Sequence, residues 1–342
     1  MQRINGRRLL SSYIPAHGKP RMLELQLLQE LVSKSKKILV LTGAGISTES
    51  GIPDYRSAGV GLYARANHRP IQHMDFMTSA ATRQRYWARN FMARGKWRAV
   101  QPNTNHNILA RWQESGRWDV TIVTQNVDRL HTKAGSRHVH CSTSHFARLH
   151  PCVCMQVIEL HGSSEEVLCM HPGCAAPPID RDTFQAILSR LNPIYEDLVH
   201  QDVVAQSTTA VYNDGSVVAD DKDDRMRPDA DMFLTQEMER AFQVAVCPYC
   251  GQAMYKPNIV FFGDSVPKPK VDQIYETVRQ SDAMVVLGSS LHVFSGYRFA
   301  MRAKEWNIPL AIVNIGPTRA DPLATLKLDA KCSAVLSQLN LT

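Results

Sequence analysis

Four short, largely apolar runs set the pattern of this chain: Ile38-Leu39-Val40-Leu41, residues 120–123 with Thr121 as their one polar member, residues 283–287 and residues 310–313. A strand with one wet face alternates polar and apolar positions, so continuous runs of this length point to strands covered on both faces. Residues 23–35, 271–279 and 296–306 instead repeat apolar positions at helical spacing. Strands alternating with helices predict an α/β fold, a Rossmann-like doubly wound parallel sheet.

Each run ends in small or polar residues. The first leads through Thr42 into Gly43-Ala44-Gly45-Ile46-Ser47-Thr48, the second into Thr124-Gln125-Asn126, the third into Gly288-Ser289-Ser290 and the fourth into Asn314-Ile315-Gly316. Ligands of such sheets sit beyond the carboxyl ends of the strands, so these edges predict one shared pocket. Between the second and third runs the pattern changes: cysteine pairs appear, and residues 201–231 are polar and rich in Asp. The expected organisation is a Rossmann-like domain of residues 22–161 and 256–342, with residues 162–255 as a smaller inserted lobe.

Composition narrows the classes. With 342 residues, 44% hydrophobic and 21% charged, the chain can bury a large core and is neither collagen-like nor wholly disordered. Its net charge of +7 is scattered, with no Lys/Arg run interleaved with aromatics, so no nucleic-acid partner is expected and an anionic small ligand is favoured. The absence of an apolar run of about 18 residues argues against a membrane partner, and a monomer is expected. Arg3, Arg7, Arg8, Lys19 and Arg21 all precede the first acid, Glu24, with Ser11 and Ser12 among them. That is the make-up of a mitochondrial presequence over residues 1–21, with the mitochondrial matrix as destination; an ordinary basic tail is the plain alternative.

The candidate chemistry lies in the turns. Gly43 and Gly45 after a strand let the backbone approach a pyrophosphate, but Thr48 stands where the dehydrogenase fingerprint has its third glycine, which disfavours hydride transfer. Asp54, Tyr55 and Arg56 follow on a loop marked by Gly51 and Pro53. Asn126 and Asp128 offer hydrogen bonds to ribose hydroxyls and a carboxamide, or else cap the next helix. His161 carries the side chain suited to proton transfer near neutrality, although most lone histidines are structural. Cys169 and Cys174, with Cys247 and Cys250, have the paired spacing of a closed zinc site. Residues 138–156, with Cys141, Cys152 and Cys154 among histidines, lack that pairing and read as a surface loop. Val260, Phe261, Phe262 and Gly263 read either as a strand edge for an extended peptide or as a plain core strand.

Taken in order, these segments resemble the sirtuin family. The likeness rests on the Gly-Ala-Gly-Ile-Ser turn with Ile52-Pro53-Asp54-Tyr55-Arg56, the Thr-Gln-Asn-Val-Asp ending at Asp128, Leu160-His161-Gly162, the four cysteines and Gly288-Ser289-Ser290. Arg85-Tyr86-Trp87-Ala88-Arg89-Asn90 and Asn314-Ile315-Gly316-Pro317-Thr318-Arg319 look like the class II branch, closest to its mitochondrial sirtuin 4 group. The resemblance implies NAD as co-substrate and one structural zinc ion held by Cys169, Cys174, Cys247 and Cys250. It implies that Gly43, Ala44, Gly45 and Thr48 cradle the dinucleotide, with Asp54, Tyr55, Arg56 and Tyr63 on the cofactor loop. Gln125, Asn126 and Asp128 would hold the nicotinamide riboside, with Asn126 and Asp128 also serving catalysis. Gly288, Ser289, Ser290, Asn314, Ile315, Gly316 and Cys332 would line the adenosine side, and Val260–Gly263 the substrate. His161 would be the general base.

The activity so implied is NAD-dependent deacylation of acylated lysine side chains on proteins, lipoamidase-type deacylation included. Protein mono-ADP-ribosylation from the same pocket and a non-catalytic regulatory binder are the competing functions. Two departures stand out: the 138–156 stretch beside the catalytic histidine, and the four residues between Cys169 and Cys174 where the family usually has two.

Overall fold

A computed structural model describes residues 13–65, 70–136, 156–201, 232 and 234–339. Most of the expected presequence and almost all of the 138–156 and 201–231 stretches lie outside the described residues, and so do Cys141, Cys152 and Cys154. In chain order the strands are β1 (Lys37–Thr42), β2 (Asp119–Thr124), β3 (Gln156–Glu159), β4 (Gly162–Cys169), β5 (Ile179–Asp180), β6 (Tyr255–Ile259), β7 (Ala283–Leu287), β8 (Leu310–Val313) and β9 (Leu326–Leu328). The helices before β2 are α1 (Met22–Lys34), α2 (Leu62–Arg65), α3 (His73–Thr78), α4 (Ala80–Ala99) and α5 (Thr104–Glu114). After it come α6 (Leu130–Lys133), α7 (Arg181–Leu191), α8 (Pro193–Gln201), α9 (Gln236–Ala241), α10 (Lys268–Gln280), α11 (Phe294–Glu305) and α12 (Cys332–Leu336).

Six strands form one sheet in the order β3-β2-β1-β7-β8-β9, every neighbouring pair parallel. The alternation of side chains along each strand explains why the runs carry apolar residues for both faces. Ile38, Val40, Val120, Ile122 and Val285 turn to one face and pack with Leu28 of α1, Leu109 of α5 and Val335 of α12. Leu39, Leu41, Val123, Met284 and Val286 turn to the other and meet Ile274 of α10 and Phe299 of α11. Each such side chain contributes about 1.5–3 kcal/mol through burial, so covering both faces favours this register strongly.

The second layer is a small antiparallel sheet in the order β5-β4-β6. Its core of Phe184, Phe242 and Tyr255 also takes Phe76 from α3 and Trp87 from α4, so the lobe recruits residues from outside 162–255. The buried Arg94 of α4 fastens this join, reaching Glu165 of β4 and Asp182 of α7 at 2.8 Å each. Breaking such a pair is costly because the buried guanidinium would keep its desolvation penalty without a partner. Among the described residues no helix is long and apolar enough to cross a membrane.

Candidate active site

The sheet is built outward in two directions: from β1 through β2 to β3, then from β7 through β8 to β9. The carboxyl ends of β1 and β7 therefore flank the point where the winding reverses, and the loops that leave them diverge to open a crevice. Here the chain is held backbone to backbone. Gly43 N–H donates to the Leu287 carbonyl at 3.2 Å and Gly45 N–H to the Gly288 carbonyl at 2.9 Å. A Cβ on Gly45 would stand 2.8 Å from the Gly288 oxygen, and one on Gly288, whose φ is +59°, would stand 2.4 Å from Ile46 N. Glycine is needed at both positions by contact, and at Gly288 by conformation as well.

Over these tips lies a cavity of about 1440 Å³. Pockets for drug-sized ligands run to roughly 300–1,000 Å³, so there is room for a dinucleotide and part of a substrate together. The cavity extends from His161 beyond β3 to Asn314, Ile315 and Gly316 beyond β8, and its wall includes Gly43, Ala44, Gly45, Asp54, Tyr55, Arg56, Gln125, Asn126 and Asp128. Val260, Phe261, Phe262, Gly263, Gly288, Ser289 and Ser290 line it too, as does the segment 15–18 ahead of α1.

Thr48, Tyr63 and Cys332 stand outside that wall, and the structure gives the reason for each. The Thr48 hydroxyl is turned inward and donates to the Gly45 carbonyl at 2.9 Å. Tyr63 is exposed, its ring 5.7 Å from that of Tyr55 and 5.4 Å from the Arg56 guanidinium. The Cys332 thiol is buried at the start of α12, 3.6 Å from the Val313 carbonyl, and burial pushes it up to about 12.

His161 is fixed at both ring nitrogens. Its Nδ1 lies 2.8 Å from the Gln125 carbonyl, which only accepts, so Nδ1 carries the proton. Nε2 then bears the lone pair and lies 2.8 Å from Ser295 Oγ. Burial pushes the imidazole down to about 4, the Gln125 carbonyl opposing and the Lys270 ammonium adding to the effect. Near neutral pH the ring is uncharged and able to accept a proton.

The neighbouring polar groups are locked in the same way. Gln125 donates through Nε2 to Ser289 Oγ at 2.7 Å, and Asn126 through Nδ2 to the Gly43 carbonyl and Ser47 Oγ at 3.1 Å each. Asp128 is held at both carboxylate oxygens: Oδ1 accepts from Leu130 N–H at 2.9 Å at the start of α6, and Oδ2 accepts from Ser47 Oγ at 2.7 Å beside the cavity.

Along the cofactor loop, Asp54 Oδ1 accepts from the backbone of Arg56 and Ser57 at 3.2 and 2.9 Å, which winds the loop on itself. Residues 260–263 follow β6 as irregular chain along the cavity wall. Val260 N–H donates to the His161 carbonyl and the Phe262 carbonyl accepts from His73 N–H, each at 2.8 Å, so the segment is partly paired with protein. The Phe261 ring packs 5.1 Å from Phe76 and 5.4 Å from Tyr86 at the lobe's core. Regular strand structure stops at Ile259.

The four cysteines converge from the end of β4, the loop after it and the turn before β6. Cys169 and Cys250 are 3.6 Å apart at sulfur, Cys174 and Cys247 are 3.8 Å apart, and all four sulfurs fall within 4.8 Å of one another. A tetrahedron with zinc–sulfur bonds of about 2.3 Å has sulfur edges near 3.8 Å, so this donor set fits a structural Zn²⁺, and the wider first spacing does not disturb it. The Cys247–Cys250 turn closes through Gly251, whose φ of +70° suits glycine and whose N–H donates to the Cys247 carbonyl at 2.8 Å.

Several contributors are missed by sequence reasoning. Asn103 donates through Nδ2 to the Ile46 carbonyl at 2.8 Å and Asn105 to Glu49 at 3.0 Å, pinning the turn that follows β1. Ser47 bridges Asn126 and Asp128, and Ser295 meets His161. A Cβ on Gly296 would stand 2.7 Å from Gln125 Oε1. Asn103 and Asn105 do carry a local signal, an N-cap residue opening a helical pattern, whereas the other contacts depend on strand order.

Comparison with known proteins agrees with this geometry. Residues 43–295 match the family described as Sir2 family. A Drosophila melanogaster protein named NAD-dependent protein deacylase Sirt4 is 46% identical over 327 residues, covering 96% of this chain and 90% of its own. A Homo sapiens protein named NAD-dependent protein lipoamidase sirtuin-4, mitochondrial, is 43% identical over 326 residues, covering 95% of this chain and 88% of its own. A solved complex described as Sir2-p53 peptide-NAD+ shares the fold, with a TM-score of 0.61 at 24% identity over 92% of this chain and 96% of its own. From the glycine-lined crevice to the four-cysteine lobe, the chain belongs to the Sir2 family.

Proposed function

We propose that this chain is an NAD-dependent protein-lysine deacylase, acting as a monomer in the mitochondrial matrix on acylated lysine side chains, lipoyl-lysine among them. The observation that carries the reading is His161: an uncharged imidazole with its lone pair on Nε2, set at one end of a crevice whose other end is lined by Asn314 and Gly316. Bound NAD would supply an anomeric carbon from which nicotinamide leaves as the acyl oxygen attacks.

The chain's own groups divide the remaining work. Backbone at Gly43, Ala44 and Gly45 cradles the pyrophosphate, and Ser289, Ser290 and Asn314 face the adenosine half. Gln125, Asn126 and Asp128 orient the nicotinamide riboside, each already held by a protein partner. His161 takes a ribose hydroxyl proton so that the acyl group passes to ADP-ribose, and the zinc lobe contributes no chemistry. The mitochondrial name of the human relative and the basic residues at 3–21 support the location.

The test is incubation with NAD and a panel of acyl-lysine peptides. Peptide-dependent nicotinamide release with loss of the acyl group is the expected result. Transfer of label from NAD to protein, independent of any acyl peptide, would replace this reading with ADP-ribosylation; neither signal would leave a regulatory binder.

A further inference from the structure

The His161 imidazole has one lone pair, and it is occupied. Nδ1 donates to the Gln125 carbonyl, so the only acceptor on the ring is Nε2, which lies 2.8 Å from the Ser295 hydroxyl. A hydroxyl at that distance from a lone pair donates to it. Ser295 also lines the cavity, as His161 does.

This contact is built in. Ser295 belongs to the first turn of α11, and the next residue, Gly296, approaches Gln125 so closely that a Cβ would reach within 2.7 Å of its Oε1. Gln125 in turn fixes the far side of the imidazole. One helical turn thus carries Ser295 and packs on the Gln125 side chain, while the Gln125 main chain holds the ring, and a substrate hydroxyl would reach Nε2 directly only by breaking the Ser295 contact.

We propose that Ser295 is a proton relay between the ribose hydroxyl and His161. The Ser295 proton moves to Nε2, forming N–H, while the ribose O–H breaks and its proton moves to Ser295 Oγ, restoring the hydroxyl. The electron pair stays on the ribose oxygen, one proton ends on the imidazole and Ser295 finishes unchanged. The inference rests on the deacylase reading above and adds a residue to its proton path.

The experiment compares the full chain with Ser295→Ala and Ser295→Thr under single-turnover conditions. It reads peptide-dependent exchange of labelled nicotinamide, which reports the step before proton removal, and acyl transfer, which follows it. For Ser295→Ala, exchange and both KM values should stay within about twofold while acyl transfer slows on the order of 10- to 100-fold, the span of a general-base contribution. Ser295→Thr, which keeps a hydroxyl, should recover most of the rate. In H2O/D2O mixtures the natural chain should give a curved dependence, two protons being in flight, and Ser295→Ala a linear one. Unchanged acyl transfer in Ser295→Ala, or exchange and transfer falling together, overturns the relay alone. Absence of exchange in the natural chain removes the deacylase reading and the relay with it.

Discussion

Gly45 and Gly288 meet backbone to backbone, the N–H of one on the carbonyl of the other at 2.9 Å. These residues lie far apart in sequence but at adjacent strand ends, and their contact sets how narrowly the crevice begins. A side chain on either would have to displace main chain, which in a close-packed interior moves the strands themselves.

Gly288→Ala should therefore weaken NAD binding at least tenfold and lower stability by about 1–3 kcal/mol, from the left-handed conformation together with the contact to Ile46 N. Calorimetric NAD titration and thermal melting check both effects. An alanine variant with native affinity would mean that the crevice tolerates a wider separation than 2.4 Å to Ile46 N allows.

His161→Ala should lose acyl transfer by at least about 100-fold, the range of a general base, while zinc content and fold are retained. Metal analysis, circular dichroism and the peptide assay together decide it. Undiminished turnover would remove His161 from the reaction.

The depressed pKa of the same residue sets a pH signature. In the folded chain His161 takes a proton at about 4, against an ordinary 6.5, so activity on this limb should hold from pH 8 to about 5. The unfolded chain binds that proton first as pH falls. Stability present above pH 6.5 is accordingly lost between 6.5 and 4, and the buried His106, lowered to about 3 by desolvation, extends the loss. Melting temperature against pH should show this decline, and His161→Asn should flatten part of it; a level profile over that window contradicts the assignment.

Removing the metal is expected to loosen the small lobe first. Structural zinc can contribute folding free energy on the order of 10 kcal/mol in small domains, so chelation or Cys247→Ser should lower the melting temperature by about 10 °C or more. Hydrogen exchange should then accelerate in β4 and β6 before it does in β1 and β7. One zinc per chain in the native protein and none in the variant is the companion result.

What the sequence discloses follows from locality. The runs at residues 38–41, 120–123, 283–287 and 310–313 fall within β1, β2, β7 and β8, since burial on both faces leaves only Thr121 as a polar member among them. Helices α1, α10 and α11 are legible from their amphipathic spacing, to within a few residues at each end. The short β3, β5 and β9 carry too few residues for a period, and α3 and α4, whose faces are shared with the small lobe, do not read as part of it. Within the site, Gly45 and the four cysteines are visible because each belongs to a local motif. Ser295 is not, because its partner lies 134 positions away and the contact exists only once β3 and β7 have found their places in the sheet.

The sulfur cluster has a topological consequence. Its two cysteine pairs sit at the exit of β4 and the entry to β6, so the chain at Cys174 and the chain at Cys247 are brought to one clamp. Lengthening a tethered excursion costs little, about 0.6 kcal/mol for each doubling, and none of that cost reaches the strands once its base is clamped. Loops between the knuckles can thus change length at little expense, provided that β5, α7 and α9, which build the lobe's core, keep their places.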